Sequence, residues 1–339
     1  MLIRPNLKDE EIITCLQDAY GLNSEGVFFL PLGADLMTAL YRIRTHSAKE
    51  YFLKLRNNKH IPACVLVPKY LSDNGFKQVI PPLETTTGNL WTNLSSFKAI
   101  LYPYIEGFNG NETGMSDQQW IEFGSALKRF HSTYFPKVIT KSIPRETFSS
   151  KWRKKVKTFL RCIEDEIFQE HVAIEMALFL KSKSSELLKI IKRTEDLADF
   201  LKNEPLPYIL CHADIHGWNL LIEKEGALYI VDWDTLIFAP KERDLMFIGA
   251  GLGNESRPFS EVETLFYQGY GQTTLNQNAL TYYRYERIIQ DIAVYCEQIF
   301  LSNEGGEERV RSFEYVQSNF LPNGTIERAY GSDKMRESL

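Results

Sequence analysis

The chain has 339 residues, 44% of them hydrophobic and 24% charged, with a formal net charge of −5. Such a chain can bury a substantial core, which excludes a disordered or fibrous protein. The acidic balance argues against a nucleic-acid partner, which calls for a basic excess to neutralise phosphates.

Within residues 27–55 the runs VFFL, ALYRIR and EYFLKL, joined by PLGAD and THSAKE, predict a small antiparallel sheet. ACVLVPKYLSDNG predicts a short helix ending near Gly75, with Pro62 and Pro68 limiting its length. NLWTNL and FKAILY, separated by Ser95 and Ser96, predict another hairpin. The stretch YPYIEGFNGNETG, rich in proline, glycine and asparagine, suits a linker. Helical periodicity then takes over: Ser116 and Gln119 form a capping-box pattern, and Trp120, Phe123, Leu127 and Phe130 recur at helical spacing. Further helices are expected around 150–165, 172–203, 261–269 and 277–302. The segment PYILCHADIHGWNLLIEKEGALYIVDWD interrupts them with β-type runs YILC, NLLI and ALYIVDW. KWRKKVKTFLR predicts an amphipathic helix with a solvated cationic side, Trp152, Val156, Phe159 and Leu160 lying on one face.

The five cysteines, Cys15, Cys64, Cys162, Cys211 and Cys296, are never spaced Cys-x-x-Cys, so neither a disulfide framework nor a zinc knuckle is suggested. The start, MLIRPNLKDEEIITCL, lacks the apolar core of a signal peptide, and no apolar run approaches the roughly 18 to 20 residues that span a bilayer. The expectation is a cytoplasmic protein without a membrane partner. The fold class expected is α+β and bilobal, with a small β-rich amino-terminal lobe over 1–101, a hinge over 102–110 and a larger, mainly helical lobe over 111–339. Ligands tend to bind between such lobes.

CHADIHGWN, residues 211–219, concentrates two histidines, an aspartate and an asparagine. A metal site would use His212, Asp214 and His216, but no other histidine-rich cluster completes the shell. An ordinary loop would use Asp214 to cap a turn and Asn219 to bond backbone. A phosphoryl-transfer loop uses more of the residues. His212-x-Asp214-x-x-x-x-Asn219, followed by an apolar run that delivers Asp232, supplies one carboxylate for the attacking hydroxyl. It also supplies an amide oxygen and a second carboxylate, the hard donors that suit magnesium. His212 and His216 then read as scaffolding of the loop.

CHADIHGWNLLI, YIVDWD and APKERDLMFIGAG resemble the aminoglycoside phosphotransferases, small-molecule kinases with a protein-kinase-like fold. FLKLRNN, ILYPYIEGFNG and YYRYERIIQDIAVY look most like the spectinomycin phosphotransferase branch, and the likeness covers nearly the whole chain. The resemblance implies Asp214 as catalytic base and Asn219 and Asp232 as magnesium ligands. It also implies Lys54 on the nucleotide's α- and β-phosphates, and PLGAD around Gly33 covering the phosphates. Adenine would be held at the hinge by Pro103, which can give only a carbonyl, and by Ile105, which can give carbonyl and amide. Arg243 and Asp244 would brace the lobe. ATP and Mg2+ are the implied cofactors, and the acceptor would be a hydroxyl of a small aminocyclitol or aminoglycoside, spectinomycin first among them. A metabolite kinase for choline, homoserine or a sugar, and a non-catalytic nucleotide binder, stay open, as does oligomeric state. One departure bears on Lys54: where kinase-like enzymes carry a helix glutamate that orients this lysine, the chain has Pro62, and no acidic residue lies between Glu50 and Asp73. Another carboxylate, or magnesium and backbone contacts, would have to orient Lys54, or catalysis is impaired.

Overall fold

The computed structural model describes residues 4–31, 38–57, 62–166, 168–249, 257–302 and 306–333. It opens with helix α1 (Asp9–Tyr20), which buries Ile12 and Leu16 one turn apart and ends at Gly21 in the left-handed conformation. Strands β1 (Ser24–Leu30), β2 (Thr38–Thr45) and β3 (Glu50–Arg56), helix α2 (Pro62–Asp73), and strands β4 (Thr92–Leu94) and β5 (Phe97–Pro103) follow. The five strands form one antiparallel sheet in the order β1-β2-β3-β5-β4. Alternation divides its faces. Leu53 and Leu55 of β3 join Tyr41, Ile43, Leu101 and the apolar side of α1 in one core. Lys54 lies opposite Ile100 on the other face, where Ile100 clusters with Val65 of α2.

The chain continues through β6 (Gly107–Asn109), α3 (Gly110–Thr113), α4 (Asp117–His131), α5 (Lys137–Thr140), α6 (Lys151–Asp165) and α7 (His171–Leu201). Strands β7 (Ile209–Cys211), β8 (Leu220–Glu223), β9 (Leu228–Ile230) and β10 (Ile237–Ala239) come next. Helices α8 (Glu242–Leu245), α9 (Phe259–Tyr270), α10 (Gln277–Phe300), α11 (Glu307–Ser318) and α12 (Thr325–Ser332) complete it. The class is the expected α+β, with an antiparallel sheet in the amino-terminal lobe and a mainly helical carboxy-terminal lobe. The expected capping box of Ser116 and Gln119 opens α4. Among the described residues no helix is long and apolar enough to cross a membrane.

Three features differ from the sequence reading. Helices α1, α11 and α12 were not expected; their starting caps are Lys8, Gly306 and Gly324, none of which makes a side-chain cap. The linker-like stretch is largely regular, because its glycine and asparagine serve packing and capping. A Cβ on Gly107 would sit 2.2 Å from the Ile222 carbonyl of β8, the partner strand of β6, and Asn109 accepts from the N–H groups of Asn111 and Glu112 to cap α3. In α6, Arg153 is buried within the basic run, because Glu286 and the carbonyls of Phe148 and Ser149 take up its donors.

Residue contacts divide the chain into two units. One comprises Met1–Ile143, Asp214–Leu236 and Leu265–Tyr270. It holds the five-stranded sheet together with the second half of the dense polar segment. The other comprises Pro144–Ala213, Ile237–Thr264 and Gly271–Leu339. In it, α6, α7, α10, α11 and α12 share a core that includes Phe159, Leu180, Ile190, Ile292 and Val316.

Candidate active site

Strand β7 ends in a sharp turn at which Ala213 takes φ 69°. The fully buried carboxylate of Asp244 in α8 accepts the backbone N–H groups of His212 at 2.9 Å and Ala213 at 2.6 Å. One acid thereby satisfies two buried donors at the strand's exit. Beyond it, Asn219 donates from its backbone to the His216 carbonyl at 2.8 Å, closing a tight turn over Gly217–Asn219. Its side-chain Nδ2 donates to the Asp214 carbonyl at 2.8 Å and to Asp214 Oδ2 at 3.3 Å. His216 Nε2 lies 3.2 Å from Asp214 Oδ1. The Asp214 carboxylate is therefore held on both oxygens while remaining partly exposed.

The second loop follows β9. Val231 N–H donates to the Asn219 carbonyl at 3.0 Å, which ties the two loops together. Asp232 then adopts φ 60°, ψ 65°, a left-handed conformation uncommon outside glycine but more accessible to aspartate than to most residues. Trp233 anchors the turn that follows. It is buried, donates from Nε1 to the Ile230 carbonyl at 3.0 Å, and meets Phe130 edge-on at 5.1 Å.

From β3, Lys54 Nζ donates to Asp232 Oδ1 at 2.9 Å and to Asp234 Oδ2 at 2.7 Å. Arg56, two residues on and on the same face, donates to Asp234 Oδ1 at 2.6 Å and contacts Cys64 Sγ at 3.1 Å. Burial opposes the charge on Lys54, but the carboxylates of Asp232 and Asp234 overcome it and raise its pKa above the ordinary lysine value. Burial also pushes the Asp234 carboxyl up, against the lowering influence of Lys54. The result is a lysine kept charged beside an oxygen-rich loop. Asn219 and Asp232 offer hard oxygen donors, the set that magnesium takes, and the Asn219 amide nitrogen is already committed to Asp214.

A family model for the phosphotransferase enzyme family matches residues 31–275. The chain belongs to this family. It is a phosphotransferase with a hydroxyl acceptor. A crystal structure of a spectinomycin phosphotransferase in complex with ADP and spectinomycin is similar at TM-score 0.90 and 34% identity, over 97% of this chain and 99% of that one. The AMP-bound complex of a spectinomycin phosphotransferase matches at TM-score 0.85 and 33% identity, over 97% and 100%. A choline kinase from Streptococcus pneumoniae shares the fold at TM-score 0.57 and 15% identity, over 95% and 99%. No curated protein matches the chain.

In this phosphotransferase the residues singled out from the sequence fall into three groups. Lys54, Asp214, Asn219 and Asp232 are joined by the contacts above. Pro103 ends β5 opposite Tyr51, and Ile105 is half-buried between β5 and β6; among the described residues neither shares a hydrogen bond with that network. Gly33 lies outside the described residues. The alternative ligand set of His212, Asp214 and His216 does not gather as a cluster among the described residues. Sequence reasoning passed over Asp234 and Arg56. The available signals were the Asp-x-Asp spacing in VDWD and a second cation on the face of β3 that bears Lys54.

Proposed function

We propose that the chain transfers the γ-phosphoryl group of ATP to a hydroxyl of spectinomycin, with magnesium. The observation that carries this reading is the 34% identity and TM-score of 0.90, over almost the whole of both chains, to a phosphotransferase crystallised with ADP and spectinomycin. Residues 1–101 would bind nucleotide, 102–110 would form the hinge and 111–339 would carry catalysis and the acceptor. The free state of the cysteines accords with a cytoplasmic location.

Asp214 would accept a hydrogen bond from the acceptor hydroxyl and take its proton as the new oxygen–phosphorus bond forms. The bond from that phosphorus to the β,γ-bridging oxygen breaks and ADP leaves. The grip of Asn219 and His216 on its two oxygens supports this role, because orientation is most of what such an enzyme contributes. Asn219 and Asp232 would hold magnesium, which when bound offsets phosphate charge. Lys54 would pair with the α- and β-phosphates, the segment around Gly33 would cover them, and Pro103 and Ile105 would hold adenine through backbone groups.

The test is magnesium-dependent ADP release with ATP and a panel of spectinomycin, several aminoglycosides, choline, homoserine and simple sugars. Release with spectinomycin, abolished in Asp214→Ala at nearly unchanged nucleotide affinity, is the expected result. Release with another member alone moves the acceptor to that compound. A fully active Asp214→Ala variant overturns the assignment of the base.

A further inference from the structure

We infer that Asp234, clamped by Arg56, is the residue that positions Lys54 for the nucleotide phosphates, leaving Asp232 to the metal. The inference rests on the site roles proposed above and adds a division of labour between two carboxylates two residues apart.

A largely buried ammonium at the end of a flexible four-carbon stem needs a fixed anion to hold one geometry. The Lys54 side chain is 13% exposed, and no acidic residue between Glu50 and Asp73 can serve it from its own strand or from most of α2. The anion comes instead from the loop after β9. Asp234 and Asp232 both reach Lys54, but their settings differ. Asp234 is 20% exposed and uses its two oxygens on two cations of one strand face, Oδ2 on Lys54 and Oδ1 on Arg56. Arg56 is itself only 12% exposed and touches Cys64 of α2, so the guanidinium is fixed from a second element. Asp232 is 47% exposed and sits on the left-handed corner of the turn, where an incoming cation can reach it. A carboxylate locked between two largely buried cations makes a positioning group; the more open one makes a ligand.

This arrangement links the phosphate-gripping lysine to the metal loop through the short turn Trp233–Thr235, which packs against α2. Placement of the lysine and placement of Asp232 then depend on one segment, so losing Asp234 misplaces Lys54 without removing the lysine's charge or the Asp232 carboxylate.

The experiment has two readouts on the full chain. The first is the rate at which an amine-acylating reagent labels Lys54, followed by peptide mass spectrometry, and it requires no acceptor. Asp234→Asn and Arg56→Met are each expected to raise this rate several-fold, more than Asp232→Asn does. A larger rise in Asp232→Asn, with Lys54 still protected in Asp234→Asn, overturns the inference. The second is a double-substitution cycle on kcat/KM for ATP. Asp234→Asn is expected to cost roughly 10-fold or more in the parent, less than 3-fold in a Lys54→Met background, and to leave the magnesium requirement unchanged. An equal loss in both backgrounds, or a raised magnesium requirement, makes Asp234 a metal ligand or a purely structural residue and refutes the proposal. If Lys54 is released as expected while the parent is silent with every acceptor, the anchor stands and the functional reading fails.

Discussion

Asparagine in place of Asp244 changes almost nothing in shape and removes one charge from a fully buried position. The native carboxylate accepts two backbone N–H groups, those of His212 and Ala213, at 2.9 and 2.6 Å. An asparagine can accept only one of them, now without charge, and turns its NH2 toward the other. Hydrogen bonds to a charged group contribute about 1.5–3 kcal/mol and neutral ones about 0.5–1.5, and a stranded buried donor costs about 1–3 kcal/mol. Together these give a destabilisation of about 2–4 kcal/mol. At about 2 °C per kcal/mol for a chain of this size, Tm should fall by roughly 4–8 °C. Ala213 is joined directly to Asp214, so kcat should fall as well, by on the order of 100-fold if the turn shifts by about 1 Å. Thermal melts monitored by circular dichroism, together with ADP release, measure both effects. An Asp244→Asn protein with unchanged Tm and unchanged kcat would refute the account of this carboxylate as the brace of the loop that carries Asp214.

Four other substitutions probe different parts of the fold. Alanine at Gly269 would bring a Cβ to 1.8 Å from the Ile121 carbonyl, and Gly124 across the same α4–α9 crossing is equally confined. Gly269→Ala should lower stability by about 1–3 kcal/mol through overpacking. Gly331→Ala, with nothing within 4 Å, should instead gain up to about 1 kcal/mol from helix propensity; equal shifts for the two would sink the argument. Burial alone would raise the carboxyl of Glu170, but Arg309 and the N–H groups of Val172 and Ala173 override it and bring it down to about 2. Because the folded value lies below the ordinary one, this stabilisation is present above about pH 4.5 and is lost as pH falls toward 2. The gap in Tm between the parent and Glu170→Gln should therefore be full near neutrality and close in acid, whereas a pH-independent gap would contradict it. Asn219→Ala should raise the magnesium concentration needed for half-maximal ADP release, and an unchanged requirement would remove Asn219 from the ligand set.

The polar site was legible where it is written locally. Asp214 and Asn219 stand five positions apart in one loop, and their side chains meet because a tight turn closes that spacing. The helices with clean apolar periodicity and recognisable starts, such as α4 behind Ser116, were equally plain. Helices that begin at lysine or glycine carry no such signal and emerge only when their apolar residues find partners, as Ile12 and Leu16 do against the sheet. The buried arginine of α6 is the same case in reverse, since only the presence of Glu286 across the core makes its burial tolerable.

By itself the sequence determined the longer periodic elements, the two-loop polar motif and the strand that carries Lys54, all products of short-range spacing and alternation. The tertiary structure decided which carboxylates Lys54 meets. Asp234 lies 180 positions away, on a turn held by Trp233 and facing a sheet assembled from the other end of the chain. Spacing cannot encode such a contact. It exists because folding draws Lys54, Arg56 and Asp234 largely out of water beside Asp232, where charges that lose hydration need partners of opposite sign.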